Sequence, residues 1–367
     1  MRFFATAAKG TEPALRDELR ELRLRRVQAD RGGVHFEGEL GDAARACLWS
    51  RVALRVLVQV ARFEAGSEAL LYEGARSVDW TEWMTSRTSL VVRATCRSSR
   101  LTHSQYVAQK TKDGIVDMLR DRLGARPSVD RENADVGIAV HLARDVATLY
   151  LDVGGASLHQ RGWRSHSGPA PLRETLAAAV LRLSGWDRQK PLVDPMCGAG
   201  TLAIEAAAWS RRMAPGLVRS HFGFERWANY NDAMRARMSE LRNEARAAAL
   251  PDGPPIRASD IDPGALELAR ANAHAAGVEL IVKQRDIRDL EPLRPAGFVV
   301  TNPPYGERLE VGNSLYDDLA RAWRSMNGHT LALLAAGPAI SHAMGRQADR
   351  WWILYNGPIE CRLLVYR

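Results

Sequence analysis

The spacing of apolar positions changes near the middle of the chain, and that change divides it. In the first half, short alternating runs are separated by amphipathic stretches. Phe3-Phe4-Ala5-Thr6 predicts a strand. Over residues 11–24, Leu15, Leu19 and Leu22 recur at helical spacing, and Thr11 ahead of Glu12-Pro13 marks a helix start. Gly32-Gly33 predicts a turn, Val34-His35-Phe36-Glu37 a strand, and residues 43–49 a helix. A second α+β unit follows. It has strands over 52–63 and 89–95 and a helix over 106–123, with Val107, Ile115 and Leu119 on one side. Two further strands, 136–141 and 147–153, turn at Ala143-Arg144-Asp145. From Leu172 onward, helices alternate with short buried runs, the pattern of a parallel α/β sheet. Strands are predicted at 191–194, 256–260, 279–283, 297–301, 330–334, 351–355 and 360–366. The last two flank Asn356-Gly357-Pro358 and so form an antiparallel hairpin. The organisation read from these patterns is a unit over 1–51, a second over 52–155, a Gly/Ser/His-rich linker over 156–168 and an α/β domain over 169–367.

Composition narrows the class. Hydrophobic residues make up 46% of the 367 and charged residues 26%, enough for a sizeable globular core. No apolar run approaches the roughly 18 residues of a membrane span, and Met1 to Thr6 lacks the apolar core and cleavage site of a signal peptide. Cys47, Cys96, Cys197 and Cys361 form no CxxC pair. Neither a metal site nor a disulfide framework is expected, and a reducing cytoplasm fits. The net charge of +8, shared by both halves, favours a polyanionic partner only weakly, since scattered charge is more often ordinary solvated surface.

Four motifs carry chemistry. In Leu192-Val193-Asp194-Pro195-Met196-Cys197-Gly198-Ala199-Gly200-Thr201, a buried strand ends in an acid and a glycine loop opens a helix. Glycines allow close backbone approach, and the helix start offers free N–H groups to a carboxylate or phosphate. Asp194 suits an amine on the same ligand; alone, the loop also fits a plain tight turn. Asp260, at the end of the next strand in Ala258-Ser259-Asp260-Ile261-Asp262-Pro263, suits ribose hydroxyls, whereas Asp262 before Pro263 suits a helix cap. Asp260 follows Gly200 by 60 residues rather than the usual ~20, which marks an insertion over 209–254. In Gln284-Arg285-Asp286-Ile287, Asp286 can accept from an adenine amine while Ile287 packs on the ring; alone this motif decides nothing.

The fourth motif, Thr301-Asn302-Pro303-Pro304-Tyr305-Gly306, follows the apolar run Phe298-Val299-Val300 and is the most specific. Two prolines remove two backbone donors and stiffen the turn. What remains is acceptors: carbonyl oxygens and the Asn302 amide oxygen. An exocyclic amine, whose lone pair is delocalised into its base, needs such acceptors. Holding both N–H groups favours a pyramidal nitrogen that attacks a methyl group in line, without a strong base. Tyr305 can stack on a base that has left its helix or loop.

Together these motifs resemble the class I methyltransferases that act on amino nitrogens, where the Asn-Pro-Pro-Tyr tetrad is the catalytic loop. More of the chain resembles the THUMP-containing RNA guanine-N2 methyltransferases. The matching segments are Leu158-His159-Gln160-Arg161-Gly162-Trp163-Arg164, Ala170-Pro171-Leu172-Arg173-Glu174-Thr175, Met213-Ala214-Pro215-Gly216-Leu217, Phe222-Gly223-Phe224-Glu225-Arg226-Trp227 and Asn356-Gly357-Pro358-Ile359-Glu360-Cys361. Lys112-Asp113-Gly114-Ile115-Val116-Asp117 resembles the THUMP helix signature, although the family more often has alanine where Gly114 stands. The Asp-Pro-Met-Cys-Gly loop and the insertion favour the branch acting on large-subunit ribosomal RNA over the tRNA branch.

The resemblance implies an α/β fold: a Rossmann-like seven-stranded class I methyltransferase domain, preceded by an α+β ferredoxin-like unit and a THUMP domain. It implies S-adenosyl-L-methionine as cofactor and transfer to guanosine N2 in 23S rRNA. Asn302, Pro303, Pro304 and Tyr305 would be catalytic. Pro171, Leu172, Asp194, Met196, Cys197, Gly198, Gly200, Thr201, Asp260, Ile261, Asp286, Ile287 and Asn302 would hold the cofactor. Arg93, Arg97, Arg100, Lys110 and Lys112 are the expected RNA contacts, with plain solvated surface as the alternative. Related long bacterial enzymes carry a second methyltransferase domain; with the chain ending at Arg367, one reaction is expected, with no membrane and no metal. The competing expectations are a tRNA guanine-N2 methyltransferase, a DNA adenine-N6 methyltransferase and a catalytically silent RNA-binding assembly factor. The lack of a recognisable DNA-reading element weighs against DNA, and the intact Asn302, Asp194 and Asp260 weigh against a silent domain.

Overall fold

The computed structural model describes residues 1–164, 172–304, 314–337 and 339–367. The first half builds one sheet from β1 (Arg2–Thr6), β2 (Arg25–Asp30), β3 (Gly33–Glu37), β4 (Arg55–Glu64), β5 (Leu90–Arg97), β6 (Val136–Ala143) and β7 (Val146–Asp152), in the order β2-β3-β1-β4-β7-β6-β5. Its helices are α1 (Glu12–Glu21), α2 (Leu40–Trp49), α3 (Glu68–Arg76) and α4 (Ser104–Leu123). β1 pairs with β4, Phe3 opposite Val58, so the two units separated in the sequence reading share one sheet and one core. Period-two alternation sends Phe3, Ala5, Val34 and Phe36 into that core, where Leu15, Leu48, Ile115 and Leu119 of the helices meet them. Arg144 and Asp145 adopt left-handed φ values of 51° and 59°, which closes the β6–β7 hairpin with the right twist.

Three details depart from the sequence reading. β4 begins at Arg55 rather than residue 52, because the buried Glu18 carboxylate captures the Ser50 hydroxyl and the Arg51 and Val52 amides. β2 was not anticipated, since Arg25-Arg26-Val27-Gln28-Ala29-Asp30 is a polar, largely exposed edge strand with no apolar alternation. α3, also unanticipated, has nine residues and buries only Leu71 and Ala75. It crosses α4 closely at Gly114, where a Cβ would sit 2.6 Å from the Tyr72 carbonyl oxygen. That contact is the physical reason for glycine at this position.

The second half is a seven-stranded sheet of order β10-β9-β8-β11-β12-β14-β13. Its strands are β8 (Leu192–Asp194), β9 (Ile256–Asp260), β10 (Ile281–Gln284), β11 (Phe298–Thr301), β12 (Thr330–Ala335), β13 (Arg350–Asn356) and β14 (Ile359–Tyr366). β8 to β12 pair in parallel, and β14 runs antiparallel to both β12 and β13 as the terminal turn predicts. On one face α5 (Glu174–Leu183), α6 (Thr201–Ser210) and α8 (Pro263–Ala275) bury Leu176, Val180, Leu202, Ile204 and Leu266. On the other, α9 (Ser314–Arg324) and α10 (Ala339–Met344) bury Tyr316, Leu319, Ile340 and Met344. The strand order reverses between β8 and β11, and such a switch point leaves a crevice at the carboxyl ends of the strands.

The insertion is a clamp between the halves. Its helix α7 (Asp232–Ala247) packs on α2, and Met238, Leu241, Phe222, Phe224 and Trp227 join the N-terminal core. A buried ion network crosses beside it. Arg51 donates to Glu205 of α6 at 2.9 Å and to the Met213 carbonyl, and Arg161 reaches the other Glu205 oxygen at 3.3 Å and the Arg51 carbonyl at 2.6 Å. Glu18 on α1 meets Arg182 on α5 at 3.3 Å. With Arg51 and Glu205 side chains only 5% and 3% exposed, these charges depend on one another.

Candidate active site

Asp194 ends β8 in a fully buried position, with the Met196 amide 3.3 Å from its Oδ1. Desolvation pushes its carboxyl up to about 7, against the opposing pull of the Thr301 hydroxyl and the Met196 amide; the charge of Asp260 adds to the rise. A buried carboxylate with no cationic partner among the described residues is the feature a ligand ammonium would satisfy. The loop after it passes through Gly198 and Gly200, both left-handed at φ +51° and +83°, and Gly200 caps α6. Open space surrounds the point where a Cβ on Gly198 would lie. The loop is tied to β9 by Cys197 N–H to the Ser259 carbonyl and Gly198 N–H to Asp260 Oδ2, both 2.9 Å. Cys197 is buried and its thiol is pushed far up by desolvation, so it acts as packing.

Two side chains that the sequence reading missed brace this loop. Fully buried Asn272 of α8 donates to the Ala199 carbonyl at 3.0 Å. Arg164 bonds Glu174 at 3.0 Å, the Leu172 carbonyl at 2.9 Å and the Thr201 hydroxyl at 3.2 Å, tying the start of α5 to the start of α6. Nothing in local spacing announces either, because both act across the fold.

Asp260 is half-buried and oriented by two amides, from Gly198 and Asp262. Asp262 caps α8 through Gly264 N–H at 2.9 Å, as expected of an acid before Pro263. Ile261 between them is 65% exposed beside the loop, an apolar surface at the crevice. Asp286 caps a short 3-10 turn and is held by a bidentate pair with Arg288 at 3.0 and 2.7 Å, which draws its carboxyl down to about 2. Its lone pairs are therefore shared before any ligand arrives. Ile287 turns into the core with Leu290 and Leu293 at 6% exposure. Its expected packing on a ring is thereby restricted, and Ile261 offers the larger apolar face.

β11 delivers the last motif to the same edge. Thr301 is fully buried, Pro303 is buried, and Asn302 and Pro304 are half-buried. The Asn302 Oδ1 atom is buried without a hydrogen-bond partner among the described residues. Leaving an acceptor so costs about 1–3 kcal/mol unless a donor arrives. Tyr316 of α9 donates to the Pro304 carbonyl at 3.2 Å and so anchors the turn, another contact the sequence reading missed. Pro171 and Tyr305 lie outside the described residues.

The five expected RNA contacts do not form one surface. Arg93 and Arg97 project from β5 on the face away from the helices, while Val92, Ala94 and Cys96 pack inward. Arg100 pairs with Asp145 at 3.3 Å. Lys110 lies over the Tyr72 ring on the helical side, and Lys112 pairs with Asp113 at 2.9 Å. Among the described residues no group of three His, Cys, Asp or Glu side chains could hold a metal, and no helix is long and apolar enough to cross a membrane.

A parallel sheet with a switch-point crevice, a buried acid under a glycine loop and an acceptor-rich Asn-Pro-Pro turn define a Rossmann-like methyltransferase. The chain belongs to the family described as RMKL-like, methyltransferase domain, whose model matches residues 161–364. Models of the RlmL ferredoxin-like domain and of the THUMP domain match residues 2–57 and 65–152. The chain is 43% identical over 100% of its length to the ribosomal RNA large subunit methyltransferase K/L of Syntrophotalea carbinolica, and 42% identical over 99% to that of Methylococcus capsulatus. It spans about half the length of these relatives, 53% and 51%. The crystal structure of SMU.472, complexed with SAH, superposes with a TM-score of 0.88 at 31% identity, covering 100% of this chain and 97% of that one. TrmN from Thermus thermophilus shares the fold at a TM-score of 0.71 and 23% identity, covering 99% of this chain and 98% of that one.

Proposed function

We propose that this chain is an S-adenosylmethionine-dependent methyltransferase that methylates the exocyclic N2 of a guanosine in 23S rRNA, acting in the cytoplasm. The carrying observation is the buried, partnerless Asn302 Oδ1 at the end of β11. It is an acceptor held ready for a donor, and an aromatic amine is a donor. The rRNA substrate is supported by similarity, along the whole of this chain and about half of theirs, to relatives named as large-subunit rRNA methyltransferases and by the THUMP match in the N-terminal half.

When bound, the cofactor supplies an electrophilic methyl group. The chain's residues supply position. Asp194 suits the cofactor's ammonium, the start of α6 its carboxylate, Asp260 its ribose hydroxyls, and Ile261 an apolar contact for its ring. Asn302 Oδ1 and the Pro303 carbonyl would accept the two amine N–H bonds, turning the nitrogen lone pair out of the ring plane. Tyr316 keeps the Pro304 carbonyl engaged, so the turn does not collapse onto its own acceptors. The prolines keep backbone donors away from the attacking nitrogen. Asp286 would serve the adenine amine only while sharing its oxygens with Arg288.

The test is methyl transfer to hypomodified ribosomal RNA, tRNA and DNA in parallel, read by nucleoside mass spectrometry with Asn302→Ala as control. N2-methylguanosine in rRNA, lost in the control, is the expected result. N2-methylguanosine only in tRNA would move the substrate, N6-methyladenine would overturn it, and cofactor binding without any product would favour a silent binding module.

A further inference from the structure

A second feature lies on the same edge of the catalytic sheet as Asn302. β13 runs parallel to β11 by way of β14 and β12, so its end at Asn356 is on the same side. There the N-terminal half and the catalytic domain enclose a cleft of about 250 Å³. Lys9 lines it from the N-terminal half, Arg173, Thr175 and Leu176 from the start of α5, and Tyr355 and Asn356 from the end of β13.

Thr175 is 2% exposed, and its hydroxyl has no hydrogen-bond partner among the described residues. It is one of seven buried side-chain atoms in this state among the described residues, and the one of them that lines this cleft. Around it the charge is positive. Arg173 is exposed and joins no ion pair among the described residues. Lys9 is exposed, and its ammonium stands 2.7 Å from the Tyr355 hydroxyl, which in turn donates to Glu360 at 2.6 Å. Thr175 and Leu176 belong to the first turn of α5, the positive end of a ten-residue helix. His159 registers the field: burial, then Arg173 and three further arginines, lowers its proton affinity. Two acids stand close by, and both are engaged: Glu360 accepts from Tyr355, and Glu174, the buried first-turn acid of α5, accepts from Arg164.

We propose that this cleft binds a backbone phosphate of the substrate RNA beside the nucleotide presented to Asn302. Arg173 and Lys9 supply charge, and the Thr175 hydroxyl donates to a phosphate oxygen. An everted nucleotide needs its neighbouring backbone fixed, and phosphate contacts are what set register. The cleft is made by both halves, so it couples the grip of the N-terminal half to the position of the target base. This proposal rests on the RNA reading above.

The probe is transcribed, unmodified large-subunit rRNA, with affinity measured between about 50 and 200 mM salt. Arg173→Ala is expected to weaken binding about tenfold at the lower salt and to flatten the slope of log K against log salt by about one. Lys9→Ala should act in the same direction. Thr175→Val should weaken binding about threefold, and Thr175→Ser should restore it. S-adenosylmethionine affinity, measured by calorimetry, should be unchanged in all four. An unchanged salt slope in Arg173→Ala overturns the proposal while leaving the RNA methyltransferase reading intact. A parallel fall in cofactor affinity also overturns it, by assigning the cleft to the cofactor's carboxylate. If the wild-type protein binds no RNA and methylates only DNA, both readings fall together.

Discussion

The two sheets have seven strands each, yet they are finished differently. The catalytic sheet is covered on both faces, by α5, α6 and α8 on one side and α9 and α10 on the other. Its polar chemistry is confined to one edge, where Asp194, Asp260 and Asn302 end their strands. The N-terminal sheet has helices on one face only, and Arg93, Thr95, Arg97 and His141 lie on the other. A covered sheet concentrates function in a few buried groups whose desolvation makes each one matter. An open sheet spreads function over exposed charges that are individually weak. Substitutions in the two halves should therefore differ in size and kind.

The largest effect is expected where the halves meet. Glu205→Ala leaves Arg51 and Arg161 buried without their acid and should cost about 3–5 kcal/mol in urea unfolding. If the network holds the halves together, the variant's single transition splits in two; a transition unchanged in midpoint and shape would break the picture. Next is Asn302→Ala, expected to lower kcat by about 10²–10³ while cofactor affinity stays within twofold, the signature of a lost transition-state contact.

Asp194 sharpens the contrast through pH. Its folded carboxyl sits near 7, above the ordinary ~3.9 of an unfolded aspartate. A raised value means stability that is fully present below the unfolded value and lost as pH rises through about 7. The cofactor-free protein should therefore melt lower at about pH 8 than at about pH 5.5, and Asp194→Asn should remove that part of the difference. Cofactor affinity should run the other way, rising across the same range and falling at least tenfold in Asp194→Asn. Calorimetry and thermal melts at both pH values check the signs; a variant with unaltered pH dependence would contradict the assignment.

Tyr316→Phe is a smaller cut. It frees the Pro304 carbonyl and should lower kcat about three- to tenfold with KM for the cofactor unchanged. The smallest effects belong to the open sheet. Arg93→Ala and Arg97→Ala should each weaken rRNA binding two- to fivefold and flatten the salt slope by up to about one. Losses as large as that of Asn302→Ala would show that the open face contains a concentrated site.

Legibility followed the same division. Strand runs such as Val299-Val300 and Leu331-Ala332-Leu333 are buried on both faces, so their apolar character shows in the primary structure. The acids and the Asn-Pro-Pro turn stand directly after such runs, where backbone chemistry restricts what each can do. β2 and α3 were invisible because they lie at an edge or are short and gain order from neighbours. Asn272, Arg164 and Tyr316 were equally hidden, since each reaches a partner in another segment, from 8 to 73 residues away. The basic contacts were the hardest to read. Arg93 and Lys110 are both cations near each other in sequence, but strand alternation and helix packing place them on opposite sides of the sheet.

The order of elements in the catalytic half, the family and the reacting groups follow from the primary structure, because local periodicity, turn chemistry and a rigid proline pair act over a few residues. The tertiary structure alone decided that the first two units share a sheet, that the insertion clamps them to the catalytic domain, and that Glu205 answers two arginines. It also decided that Thr175 and Asn302 hold buried polar atoms with no partner among the described residues. Burial and pairing are properties of what surrounds a residue, and in this chain those surroundings are drawn from distant segments.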